Sequence, residues 1–148
     1  MSSTSGANLR QAVPFFWVHD IQRSVRFYVD GLGFAVTKAW RDNGTLRWCW
    51  LERDSVAVML QEFWTDGPDR NVPDGPLGVG ATVHVLCRDA VEVWRGFVAR
   101  GVDAKRPVVG NGMWVTQVAD PDGYLLFFES AADAPEDSVL PEDAPGGA

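Results

Sequence analysis

Histidine is scarce in this chain of 148 residues: only His19 and His84 are present. A metal centre built mainly from imidazole is thereby excluded, and any ion would have to draw on carboxylates. Cysteine is equally rare. Cys49 and Cys87 form no C-x-x-C pair, and both fall in segments that read as strands. Buried free thiols, suited to a reducing cytoplasm, are the expectation. No run approaches about eighteen apolar residues, and residues 1–12 carry no apolar stretch of the kind a secretion signal needs. Neither a membrane span nor a leader is expected. Basic residues form no stripe, which argues against nucleic acid as a partner. A phosphate loop and a serine elbow are missing too.

What is present suits one compact body. Apolar residues make up 46% and charged residues 22% of the chain, enough for a real core. The formal charge of −7 is misleading, because residues 131–148 hold Asp133, Glu136, Asp137, Glu142 and Asp143 and no base. Without those acids the body is close to balanced. Residues 1–12 read as a flexible arm and 131–148 as a disordered acidic tail.

Between these ends one unit is written twice, over 13–63 and 80–130. Each copy opens on an apolar strand, Val13–Val18 and Thr82–Leu86. Seven residues after each opening position stands an Asp, Asp20 and Asp89, placed to cap a helix. Helix 1 is predicted over 20–31, with Ile21, Val25, Tyr28, Val29 and Leu32 inward. Helix 2 is predicted over 89–100, with Val91, Trp94, Phe97 and Val98 inward. Strands are predicted over 34–41, 46–52 and 55–63, then 105–109, 114–119 and 124–130, with a strong turn at Asp120-Pro121-Asp122-Gly123. The turn-rich stretch 64–79 reads as a linker. Both halves therefore read βαβββ. A duplicated unit of this kind buries its apolar faces by pairing, leaving a hollow for a ligand.

Alternation assigns the strand faces. Val13, Phe15 and Trp17 share one face, with Phe16 and Val18 opposite. Thr82, His84 and Leu86 share a face, with Val83 and Val85 opposite, suited to lie under a helix. Leu46, Trp48 and Trp50 share a face, with Arg47 and Cys49 opposite.

Three segments, VPFFWVHDIQRSVRFYVDGLGF, VAVMLQE and DPDGYLLFFE, resemble the vicinal oxygen chelate superfamily. It holds glyoxalase I, extradiol dioxygenases, fosfomycin-resistance enzymes and bleomycin-resistance proteins. The resemblance implies an α+β fold in which two βαβββ repeats form a cup-shaped pair of curved mixed sheets, often completed by a second subunit. A homodimer is thus an expectation. It also implies where catalytic members hold a divalent ion: Val13, Thr82, a position near Leu60, and Phe127. None of these side chains holds a catalytic metal, so no metal ligand, cofactor or catalytic residue is assigned. A displaced site from His84, Glu62 and Glu129 is the alternative. It belongs with an enzyme of lyase, isomerase or dioxygenase type, or with acid–base catalysis by His84 and a glutamate.

Seven tryptophans and eight phenylalanines point elsewhere. Rings along a concave wall hold planar or cationic compounds by stacking and cation–π attraction, and the bleomycin-resistance branch implies sequestration without chemistry. The expected wall comprises Phe15, Trp17, Trp48, Trp50, Thr82, His84, Trp114 and Phe127, with Glu62 or Glu129 as counter-charge. The expected function is metal-free binding of an aromatic or cationic small molecule, an antibiotic among the candidates. An accessory or regulatory domain is the third reading.

Overall fold

The computed structural model describes residues 6–142. Its first half runs β1 (Phe15–Val18), α1 (Ile21–Arg26) closing in a π-helical turn (Phe27–Gly31), β2 (Ala35–Asp42), β3 (Thr45–Arg53) and β4 (Val56–Glu62). Its second half runs β5 (Thr82–Leu86), α2 (Ala90–Ala99), β6 (Val108–Gly110), β7 (Met113–Ala119) and β8 (Leu125–Ala131). Each half makes a four-stranded mixed sheet. Sheet 1 is ordered β1-β4-β3-β2 and sheet 2 β5-β8-β7-β6. The opening strand of each half pairs parallel with its last strand, and the other pairs are antiparallel. This is the α+β pair of βαβββ sheets that the duplicated pattern implies.

The helices start where the sequence places them. Asp20 accepts the Arg23 N–H at 3.1 Å, and Asp89 accepts the Val91 and Glu92 N–H groups at 3.1 and 3.0 Å. These bonds satisfy amides that a helix start leaves without partners. Helix 1 ends differently from the expectation. Only six residues are α-helical before the wider turn, and arginines hold the carbonyls it leaves free. Arg100 Nε donates to Gly31 O at 2.9 Å and Arg53 Nη1 to Leu32 O at 2.7 Å. Gly31 is required there, since a Cβ would lie 2.8 Å from a Val102 methyl. On α2, Val98 is exposed and Val93 packs inward in its place beside the buried Phe97.

One core spans both halves. Phe16, Val18, Cys49, Leu51, Val58 and Leu60 of sheet 1 join Val118, Leu126 and Phe128 of sheet 2. Ile21, Tyr28, Leu32 and Phe97 complete it from the helical segments. Burying a side chain of this size contributes roughly 1.5–3 kcal/mol. Val83 and Val85 pack against this core, as expected of a face under a helix.

The Asp120–Tyr124 turn clasps the halves together. Tyr28 donates its hydroxyl to Asp120 at 2.9 Å, and Tyr124 donates to Trp17 O at 2.7 Å while its ring stacks on Phe16. Asp122 accepts from the His19 N–H, Arg23 and Ser24. Burial raises the pKa of Asp120 above its ordinary 3.8 and pushes the Tyr28 phenol well up. The sequence marked this segment as a turn; the structure makes it the joint as well.

Three further expectations are corrected. The strand predicted over 105–109 is only Val108–Gly110, because Pro107 has no N–H to give a ladder. Cys87 lies just past β5 and is partly exposed, whereas Cys49 is fully buried with its thiol pushed up to about 11 by desolvation. The disordered tail expected over 131–148 does not hold for 132–142. Val139 bridges Val108, Leu140 is buried, and Glu136 accepts from the Asn111 and Gly112 N–H groups. The rest of that tail, 143–148, lies outside the described residues, as do residues 1–5 of the expected arm.

Candidate functional site

Each sheet has a helix side and an open side, and the strand registers list what stands on the open one. On sheet 1, Phe15 partners Met59, which partners Trp50, which partners Lys38. The next row runs Trp17, Gln61, Trp48, Trp40. Side chains opposite one another on neighbouring strands share a face. Five rings therefore stand on one surface. Phe15 and Trp17 are in ring contact at 5.6 Å, and Trp17 stacks on Phe63 at 5.7 Å. Trp50 is held from two directions: its indole N–H donates to Glu52 at 2.6 Å, and Lys38 Nζ sits 4.9 Å from the ring centre.

On sheet 2 the corresponding rows are Thr82, Leu125, Ala119; then His84, Phe127, Gln117; then Leu86, Glu129, Val115. His84 stacks on Phe127 with centroids 4.8 Å apart and planes 5° from parallel. One ring nitrogen, Nε2, lies 2.9 Å from Thr82 Oγ1, and Nδ1 lies 3.2 Å from Glu129 Oε1. Both nitrogens thus have partners within the protein, in a hydroxyl–imidazole–carboxylate chain on the open face.

The structure divides the predicted wall. Phe15, Trp17, Trp48 and Trp50 lie on the open face of sheet 1; Thr82, His84, Phe127 and Glu129 lie on that of sheet 2. Two members face the other way. Glu62 follows the parity of Val58 and Leu60 onto the helix side, where it accepts from Arg47 at 2.7 Å and from the Ile21 N–H at 3.0 Å. There it fixes the start of α1 and offers no counter-charge to the open face. Trp114 partners Val109 and Ser130 and shares the face of Thr116, whose hydroxyl donates to Ala90 O of α2. Leu46 also leaves Trp48 and Trp50, because a bulge in the β2–β3 pairing near Arg47 turns it to the buried side.

Within one chain the two open faces do not close on each other through their rings. Among the described residues, every ring pair on an open face stays within its own sheet, and the ring pair joining the halves, Phe16 with Tyr124, lies on the helix side. A pocket of about 260 Å³ lies between the start of β4 and β5, lined by Pro14, Ala57, Val58, Val83, His84 and Leu86 among others. Phe15, Trp40 and Leu86 are 42%, 47% and 72% exposed.

Met59, Gln61, Lys38 and Trp40 belong to the open face and were not assigned from sequence. The alternation Ala57, Met59, Gln61 against Val58, Leu60 carried the signal for β4. Leu60, near which the resemblance implies a ligand position, has the opposite parity and is fully buried.

The residues do not fit a metal centre. Leu60 is fully buried on the helix side, and the β4 positions facing outward are a thioether and an amide. Among the described residues, no three His, Cys, Asp or Glu side chains gather to hold an ion. The displaced trio of His84, Glu62 and Glu129 is not assembled, since Glu62 is committed to Arg47 and α1 on sheet 1.

A sequence model of the glyoxalase/bleomycin resistance protein/dioxygenase superfamily matches residues 10–128. The chain belongs to this superfamily. Among solved structures, the superfamily fold is shared with TioX from Micromonospora sp. ML1, at 23% identity and a TM-score of 0.61 over 83% of this chain and 99% of that one. TnmS3, an antibiotic binding protein from Streptomyces sp. CB03234, gives 17% identity and a TM-score of 0.65 over 85% and 98%. A bleomycin-binding protein complexed with bleomycin gives 21% and 0.59 over 84% and 100%. At these identities the likeness is one of fold. No curated protein matches the sequence. No helix among the described residues is long and apolar enough to cross a membrane.

Proposed function

We propose that this member of the superfamily is a metal-free binding protein that sequesters a planar aromatic small molecule, an antibiotic being the leading class. The observation carrying this reading is the pair of cross-strand rows that sets Phe15, Trp17, Trp48, Trp50 and Trp40 on the open face of sheet 1. Thr82, His84, Phe127 and Glu129 form the second wall. Of the aromatic and cationic ligands the sequence suggested, the aromatic is favoured, because Glu62 lies behind the sheet and Glu129 is already paired with His84. The names of the antibiotic-binding and bleomycin-binding neighbours support the same class.

In this reading the protein works in the cytoplasm as a homodimer, a second copy covering the apolar groups that one chain leaves exposed. The enzymatic alternative would need either a metal with donors other than His84, Glu62 and Glu129, or acid–base catalysis by His84 with Glu129. The test is binding without turnover. Chelator-treated protein is titrated with bleomycin and a panel of planar antibiotics while tryptophan emission and melting are followed. A ligand at 100 times its Kd should add about 2.7 kcal/mol of stability, with the ligand recovered unchanged. Stoichiometric metal, with ligand conversion lost on chelation, would reverse the conclusion. Sedimentation of the free protein as a monomer at all concentrations would remove the dimer.

A further inference from the structure

Trp17, Gln61 and Trp48 are successive register partners on β1, β4 and β3, so an amide stands between two indoles. Gln61 is half-buried, and among the described residues no group of the protein bonds its side chain. An amide carries two donors and an acceptor whose partners must then come from outside the protein. The carboxylate on the same face, Glu52, is committed to Trp50, and Glu62 is behind the sheet. Phe63 already covers Trp17, whereas no ring or cation of the described residues lies against Trp48. Neighbouring strands are about 4.8 Å apart, so a ring stacked on Trp48 reaches over β4 to Gln61.

We infer that Gln61 is the specificity-determining residue of this face, and that the ligand is a neutral fused-ring aromatic bearing an amide or lactam edge. Its rings lie on Trp48, and its donor–acceptor edge pairs with the Gln61 amide in two hydrogen bonds. The inference rests on the open face of sheet 1 being a binding wall, as proposed above.

Three probes separate the contributions by calorimetry: 2-naphthamide, N,N-dimethyl-2-naphthamide (same rings, no donor) and decalin-2-carboxamide (same amide, no flat ring). The wild-type protein should bind 2-naphthamide about tenfold more tightly than the dimethyl compound, and the decalin compound most weakly. Gln61→Leu and Gln61→Met should erase the preference between the two naphthyl compounds, lowering the affinity for 2-naphthamide more than that for the dimethyl compound, which loses only the bond to its carbonyl. Trp48→Leu should weaken both naphthyl compounds. Two variants at Gln61 guard against a folding defect in one. A preference absent from the wild type, or surviving in both Gln61 variants, overturns the role of Gln61 while the wall stands. If neither naphthyl compound binds the wild type, the wall and this inference both fall.

Discussion

Across sheet 1 the central open row reads ring, amide, ring: Trp17, Gln61, Trp48. Across sheet 2 it reads imidazole, ring, amide: His84, Phe127, Gln117. Turned over, the two sheets are alike, with Val58, Leu60 and Leu51 under one helix and Leu126, Val118 and Phe128 under the other. The repeat is thus preserved where packing constrains it and diverges where solvent or a ligand is the neighbour. Close-packed positions accept few side chains, whereas exposed ones tolerate many. The difference says where to seek function in this molecule: on the faces where the copies disagree.

The comparison breaks most visibly at adjacent positions of β4. Leu60→Ala, on the helix side, should cost about 2–5 kcal/mol in chemical denaturation and leave the ligand affinity of the folded fraction unchanged. Met59→Ala, one residue away on the open side, should cost far less stability and change affinity. Equal stability losses would mean the faces are not distinct. Glu62→Gln sharpens the correction to the predicted wall. It removes the charge that Arg47 meets on a largely buried pair, so a loss of roughly 2 kcal/mol is expected, with binding by the rings intact. A selective loss of affinity without loss of stability would return Glu62 to the ligand.

The smallest effect concerns the joint. Because burial raises the pKa of Asp120 above 3.8, the folded state favours its protonated form. The stability from that preference is present below pH 3.8 and is lost as pH rises through the raised value. Asp120→Asn cannot ionise, so its stability relative to the wild type should rise across that window. A flat difference in melting temperature over the same range would contradict the assignment.

Much of this was legible in the residues themselves. Asp20 and Asp89 announced the helices because a cap is a local bond. The alternation of Phe15 to Val18 and of Thr82 to Leu86 gave the correct faces, because β1 and β5 each have one buried side. Glu62 and Trp114 were misplaced because polarity and aromaticity say less about direction than parity does: Val58 and Leu60 already put Glu62 inward, and Thr116 and Val118 do the same for Trp114. Leu46 failed for another reason, since a bulge shifts parity without leaving a sequence mark. The joint between Tyr28 and Asp120 spans 92 residues, a distance at which one sequence offers no pairing signal.

The outer edges of the two sheets are finished differently. All eight residues of β2 are exposed, and its register with β3 breaks twice, a distortion that discourages another strand from adding on. On sheet 2 that protection comes from the far end of the chain, which lies along β6 through Val139, Leu140 and Glu136. A truncation that trims the acidic end as dispensable would uncover β6 and invite aggregation, so a purification tag or fluorescent fusion belongs beyond Glu142.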